Sequence, residues 1–151
     1  MTSDDAIFNS GLIVTTDKGK DAMQDINDPS VVAEVTAAVR RYEEALFTND
    51  AATMNELFWN APHTLRFGPT ENLYGHDAIA AFRSGRKPGN LRRRERHFVV
   101  TTFGRGFATA NVEYSQGDPE RIGRMSHTWV RFPEGWRIAA AHVSVMENAA
   151  P

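Results

Sequence analysis

The chain has 151 residues, 41% of them hydrophobic and 24% charged, the usage of one ordinary globular domain rather than of a disordered tract or a fibre. Its 17 basic residues against 19 acidic leave a net charge of −2, which argues against a dedicated nucleic-acid binder. Cysteine is absent, so disulfides, thiolate zinc sites, iron–sulfur clusters and cysteine nucleophiles are excluded, and no apolar run nears the roughly 18 residues of a membrane span.

Residues 1–25 carry a thin apolar cluster (Ile7, Phe8, Leu12, Ile13, Val14) among acidic residues and are read as an extension before the domain. They lack the basic start and apolar core of a secretory signal, so the expectation is a cytoplasmic protein with no membrane partner. The domain proper is expected over 26–147, with 148–151 as a tail. Asp28 is a good N-cap and Pro29 suits a first helical position. Val31, Val35, Ala38, Val39, Tyr42, Ala45 and Leu46 then recur at helical spacing and predict an amphipathic helix from 29 to 48. Asp50 caps a short second helix running through Leu57 and Phe58.

After Trp59 the period changes. Residues 62–68 and 72–74 predict two short strands, and 76–86 a short helix with Ala78, Ile79 and Phe82 on one side. Four long strands are expected at about 91–103, 106–116, 122–132 and 135–146, separated by turn signals at Gly104, Gly117-Asp118-Pro119 and Pro133-Glu134-Gly135. Helices first and an antiparallel meander after give an α+β fold, a long helix lying in a strongly curved sheet. That shape is a cone, and a cone has an interior.

Tyr42 shares the apolar stripe of the first helix, so its ring points inward. Arg66 alternates with Leu65 and Phe67 and therefore faces away from them, into the cone if they face out. There an arginine fork needs an answering anion, which makes it a candidate carboxylate receptor. His142 and Ser144 share a face at i, i+2 and are expected to line the cavity as donors, with His127 on the neighbouring strand and Trp59 shaping the pocket. Two histidines without a third ligand at metal spacing do not make a zinc site. Glu113 is read as solvent-facing. The basic run from Arg83 to Arg96 lacks aromatics for stacking bases and is read as a solvated edge or a partner surface.

Several segments resemble a small bacterial family. They are Ile26-Asn27-Asp28-Pro29, Arg41-Tyr42-Glu43, Leu57-Phe58-Trp59-Asn60, Leu65-Arg66-Phe67-Gly68, Glu71-Asn72-Leu73-Tyr74-Gly75, Thr101-Thr102-Phe103-Gly104-Arg105, and the stretch from Thr128 to Ser144. The family is the AtzH-like one, which includes the oxalurate-catabolism protein HpxZ, and its fold is that of nuclear transport factor two and the cystatins. The resemblance implies a decarboxylating amidohydrolase of cyanuric acid (s-triazine) catabolism, converting 1,3-dicarboxyurea to allophanate, with carbon dioxide and ammonia as the expected products. It implies Tyr42 and Arg66 as catalytic residues, no metal or organic cofactor, and a small anionic ureido or carboxylate substrate. A homodimer is expected through the sheet face that the helices leave bare, with Trp129 or Trp136 and Phe132 on it. The same residues would also serve a non-catalytic binding or accessory subunit of an amidase operon, or another cone-fold enzyme acting on a small carboxylate.

Overall fold

The structure, a computed structural model, describes residues 25–87 and 92–146. The extension before Asp25 and the tail lie outside them. Helix α1 (Pro29–Thr48) opens on Asp28, whose carboxylate accepts from the Ser30 amide, and closes on Asn49 in the left-handed conformation. Val31, Val35, Val39, Tyr42 and Ala45 form its buried face. Asp50 caps α2 (Ala51–Leu57) by accepting from the Thr53 amide. Two short strands, β1 (Leu65–Phe67) and β2 (Asn72–Tyr74), precede α3 (His76–Ser84). The meander follows as β3 (Arg94–Phe103), β4 (Phe107–Gln116), β5 (Asp118–Phe132) and β6 (Gly135–Met146).

All six strands form one sheet in the order β2-β1-β6-β5-β4-β3, antiparallel except where β1 pairs parallel with β6. Gly104, Gly117 and Gly135 take positive φ at the three tight connections, as left-handed turn positions require. β5 starts earlier than expected. Pro119 lies inside it because residues 119–121 fall in a register shift, with Gln116 facing Asp118 and Ser115 facing Ile122, so no ladder amide is demanded of the proline. The first short strand is only three residues long, and α3 stops two residues before Arg86.

The core fills the concave side of the sheet, where Val31, Val35, Val39 and Ile138 are fully buried with Met54, Phe58 and Trp129. Inward positions alternate along β4 (Ala108, Ala110, Val112, Tyr114) and along β5 (Met125, His127, Trp129). β6 breaks the alternation. Thr128 pairs with Ala140 but Trp129 with Ile138, so Ala139 is an extra residue, a β-bulge. Trp136 and Ile138 point inward before it, Ala141 and Val143 after it.

Candidate active site

Four cationic side chains gather around one helix position. Tyr42, on α1, is 3% exposed, and its hydroxyl accepts from Arg83 Nη2 at 3.3 Å. Arg83 comes from the last turn of α3, is itself 3% exposed, and rests its other Nη on Met54 Sδ and its guanidinium carbon 5.0 Å from the Phe58 ring centre. Arg66, on β1, is 7% exposed and pairs with Glu71 at 2.5 Å. Arg93, just before β3, lies over the Tyr114 ring and pairs with Glu43 at 3.3 Å. Beside these, Arg86 is exposed just past α3. Its partial loss of water depresses its pKa from the usual arginine value, opposed by Tyr42 and reinforced by the cations of Arg66, Arg83 and Arg93.

The electrostatics follow from that crowding. Burial alone would raise the Tyr42 pKa, but the charge and hydrogen bond of Arg83, with the charges of Arg66 and Arg93, outweigh it and hold it below the ordinary tyrosine value. Burial likewise pushes Glu71 up, and hydrogen bonds from Thr70 and Arg66 bring it below the usual carboxylate value. His127 stands edge-on to Tyr42, ring centres 4.9 Å apart, with neither ring nitrogen partnered among the described residues. Burial, aided by Arg93, Arg83 and Arg66, lowers its pKa to about 3, so it is neutral at physiological pH.

A cavity of about 280 Å³ opens onto this group, walled by Arg66, Glu71, Phe82, Arg86, Arg93 and Tyr114, among others. Tyr42 is not itself part of that wall. Two glycines let the wall side chains Tyr114 and Glu71 lie close against the backbone. A Cβ on Gly123 would fall 2.2 Å from Tyr114 Cζ, and one on Gly68 would fall 1.8 Å from Glu71 Oε1. A second cleft, of about 340 Å³, shares Arg86, Arg93 and Tyr114 with the first and continues past Glu43 and Phe47. Among the described residues no three His, Asp or Glu side chains converge as metal ligands.

Of the residues expected from sequence, the structure gathers Tyr42, Arg66 and His127 on the concave side. The hydroxyl of Tyr42 meets Arg83, however, rather than Arg66. His142 and Ser144 do not hold the cavity-lining positions expected of them. The bulge at Ala139 turns them outward, where His142 is exposed beside Phe67 and Ser144 accepts from Arg124 Nε at 3.2 Å. Trp59 lies at another surface, stacked on Phe132 at 5.3 Å, and its neighbour Phe58 takes the place beside Tyr42. The basic run is not one solvated edge. Arg83 is buried and Arg93 half-buried, while Arg92 and Arg96 hold surface ion pairs with Glu44 and Glu113. Arg83 was findable, because it follows the inward Ile79 by four residues on α3.

Residues 24–149 match the AtzH-like family. A crystal structure of a protein of unknown function from Pectobacterium atrosepticum, of the DUF3225 family, is 49% identical, covering 82% of this chain and 97% of that one with a TM-score of 0.79. A cystatin-like fold protein from Burkholderia xenovorans is 43% identical, covering 84% and 98% with a TM-score of 0.78. An NTF2-like protein of unknown function from Pseudomonas putida shares the fold at 16% identity, covering 82% and 99% with a TM-score of 0.70. No functionally curated protein matches the chain.

Proposed function

The chain belongs to the AtzH-like family, and from that premise we propose that it is a metal-independent amidohydrolase acting on a small N-carboxylated urea or ureido acid, in s-triazine or oxalurate nitrogen catabolism. The observation that carries the reading is the convergence of Arg66, Arg83, Arg86 and Arg93 on Tyr42, where only Glu71 and Glu43 answer them among the described residues. A surplus of half-dry cation around a cavity favours a small, planar anion.

In this reading Glu71 occupies Arg66 until a substrate carboxylate displaces it, which also opens the way to Tyr42. Arg66 then clamps that carboxylate bidentately. The bond between the carboxylate carbon and nitrogen breaks, its electron pair goes to nitrogen, and carbon dioxide leaves. Tyr42 gives its proton to that nitrogen, and the phenolate regains one from water. For 1,3-dicarboxyurea the products are allophanate and carbon dioxide. Both nitrogens stay in allophanate, so ammonia would signal cleavage of an inner urea bond instead.

The test is direct. Purified protein incubated with 1,3-dicarboxyurea should release one carbon dioxide per molecule and accumulate allophanate, with or without chelator. Saturable binding with no release would overturn the enzyme and leave a non-catalytic binding or accessory subunit.

The same proposal includes a homodimer through the convex face of the sheet. Val99, Phe103, Phe107 and Tyr74 are exposed there by 54%, 45%, 42% and 66%. Trp129 and Trp136, expected on that face, are instead buried on the concave side. Sedimentation at micromolar concentration should give twice the 16.8 kDa chain mass; a monomer would reject it.

A further inference from the structure

Arg66 and Arg93 each have a carboxylate partner; Arg83 has none among the described residues. It is also the most deeply buried of the three. Its contacts are a thioether, the faces of Phe58 and Tyr42, and one hydroxyl, and its Nε has no partner among the described residues. A guanidinium kept from water without an anion is costly, and sulfur and ring faces offset only part of that cost. The group that could answer it is the Tyr42 oxygen, once that oxygen has lost its proton.

We propose that Arg83 is the positioning residue for proton transfer by Tyr42, aiming the hydroxyl and holding a cation where the phenolate forms. The proposal rests on the reading that Tyr42 supplies a proton to substrate, and it adds the residue that makes this possible. Met54 and Phe58 fix the guanidinium on two sides, so the Tyr42 hydroxyl is oriented before substrate arrives. When the proton leaves, a hydrogen bond from a cation to a neutral hydroxyl becomes a buried ion pair over the same 3.3 Å contact, which favours the state after transfer over the state before it. Arg66 cannot do this in the free protein, since Glu71 already holds it. The other groups facing Tyr42 are Arg93, paired with Glu43, Arg86 beyond α3, and His127, which stays neutral. None of them touches the hydroxyl.

The experiment is an ultraviolet titration of tyrosinate, with Tyr42 isolated from Tyr74 and Tyr114 by subtracting Tyr42→Phe. In Arg83→Met, Tyr42 should ionise about one pH unit higher than in the wild-type protein, roughly a tenfold fall in its ionisation constant. Arg83→Lys, which keeps a charge but loses the planar fork, should fall between and serves if the methionine variant does not fold. The limb of the pH–rate profile belonging to Tyr42 should move with the titration in both variants, kcat falling and KM changing by less than about threefold. An unchanged Tyr42 titration in either folded variant overturns the proposal. A shifted titration in a protein that turns over no carboxylated urea upholds the Arg83–Tyr42 pair while rejecting the proposed activity.

Discussion

The concave and convex faces of the sheet treat polar side chains in opposite ways. On the convex face they are exposed or satisfied: Ser126 donates to Asn111 at 2.7 Å, Arg124 to Ser144 at 3.2 Å, and Arg96 pairs with Glu113. On the concave side His127 keeps both ring nitrogens unpartnered among the described residues, as do the Trp129 indole, the Thr102 hydroxyl and Arg83 Nε. Each buried polar atom left so costs about 1–3 kcal/mol. One face thus keeps its polar groups hydrated or partnered; the other accumulates buried polar atoms without partners among the described residues. His127 and His142 are the sharpest instance. They sit on neighbouring strands, one 2% exposed and pushed to a pKa of about 3, the other open to solvent. Residue type does not distinguish them; the direction of the side chain does.

The contrast breaks first at Tyr42. Tyr42→Phe removes one concave hydroxyl and should leave the fold intact while lowering turnover about 10²-fold, roughly 2.7 kcal/mol of barrier. A folded variant with wild-type turnover would show the concave side to be structural only.

His127 should make the protein acid-sensitive. In the fold it stays neutral down to about pH 3, whereas unfolded it binds a proton below about 6.5. Between those values the unfolded chain carries more protons. Stability from this group is therefore full above pH 6.5 and falls as pH drops toward 3, by about 1.4 kcal/mol per unit. Urea midpoints at several pH values read the slope, and His127→Phe should flatten it by that amount. An equal slope in the variant would mean that other groups set the acid limit.

Arg66→Lys keeps a charge but loses two parallel donors, and kcat/KM should drop at least about tenfold, near 1.4 kcal/mol. Unchanged kinetics would remove Arg66 from substrate contact. The convex face supplies the control. His142→Ala and Ser144→Ala should each move stability by less than about 0.5 kcal/mol and leave turnover alone. A large loss of turnover from either would erase the distinction between the two faces.

Much of the architecture is written in local patterns. The stripe from Val31 to Ala45 carries α1, the turn glycines divide the meander, and alternation alone puts Arg66 opposite Leu65 and Phe67. Tyr42 is legible for the same reason. What escapes is whatever depends on a break in period or on long-range contact. Phe58 and Trp59 are adjacent aromatics at a helix exit, where no period says which turns inward. Arg83 reads as surface because it heads a basic run, although its four-residue step from Ile79 assigns it to the buried side of α3. The outward turn of His142 depends on the pairing of β6 with β5, which a single-strand pattern does not contain.

That pairing has a consequence for how this scaffold changes over evolutionary time. Ala139 contributes no chemistry, but its place outside the ladder decides the phase of every residue after it in β6. Drawing Ala139 into the ladder, with no residue added or lost, would exchange Ala141 and Val143 for His142 and Ser144 on the concave side, importing an imidazole and a hydroxyl without a single replacement. The repertoire of the cavity is encoded in strand register as well as in side chains. A one-residue slip at the bulge, rather than a point change, is the short path from one cavity lining to another on this strand.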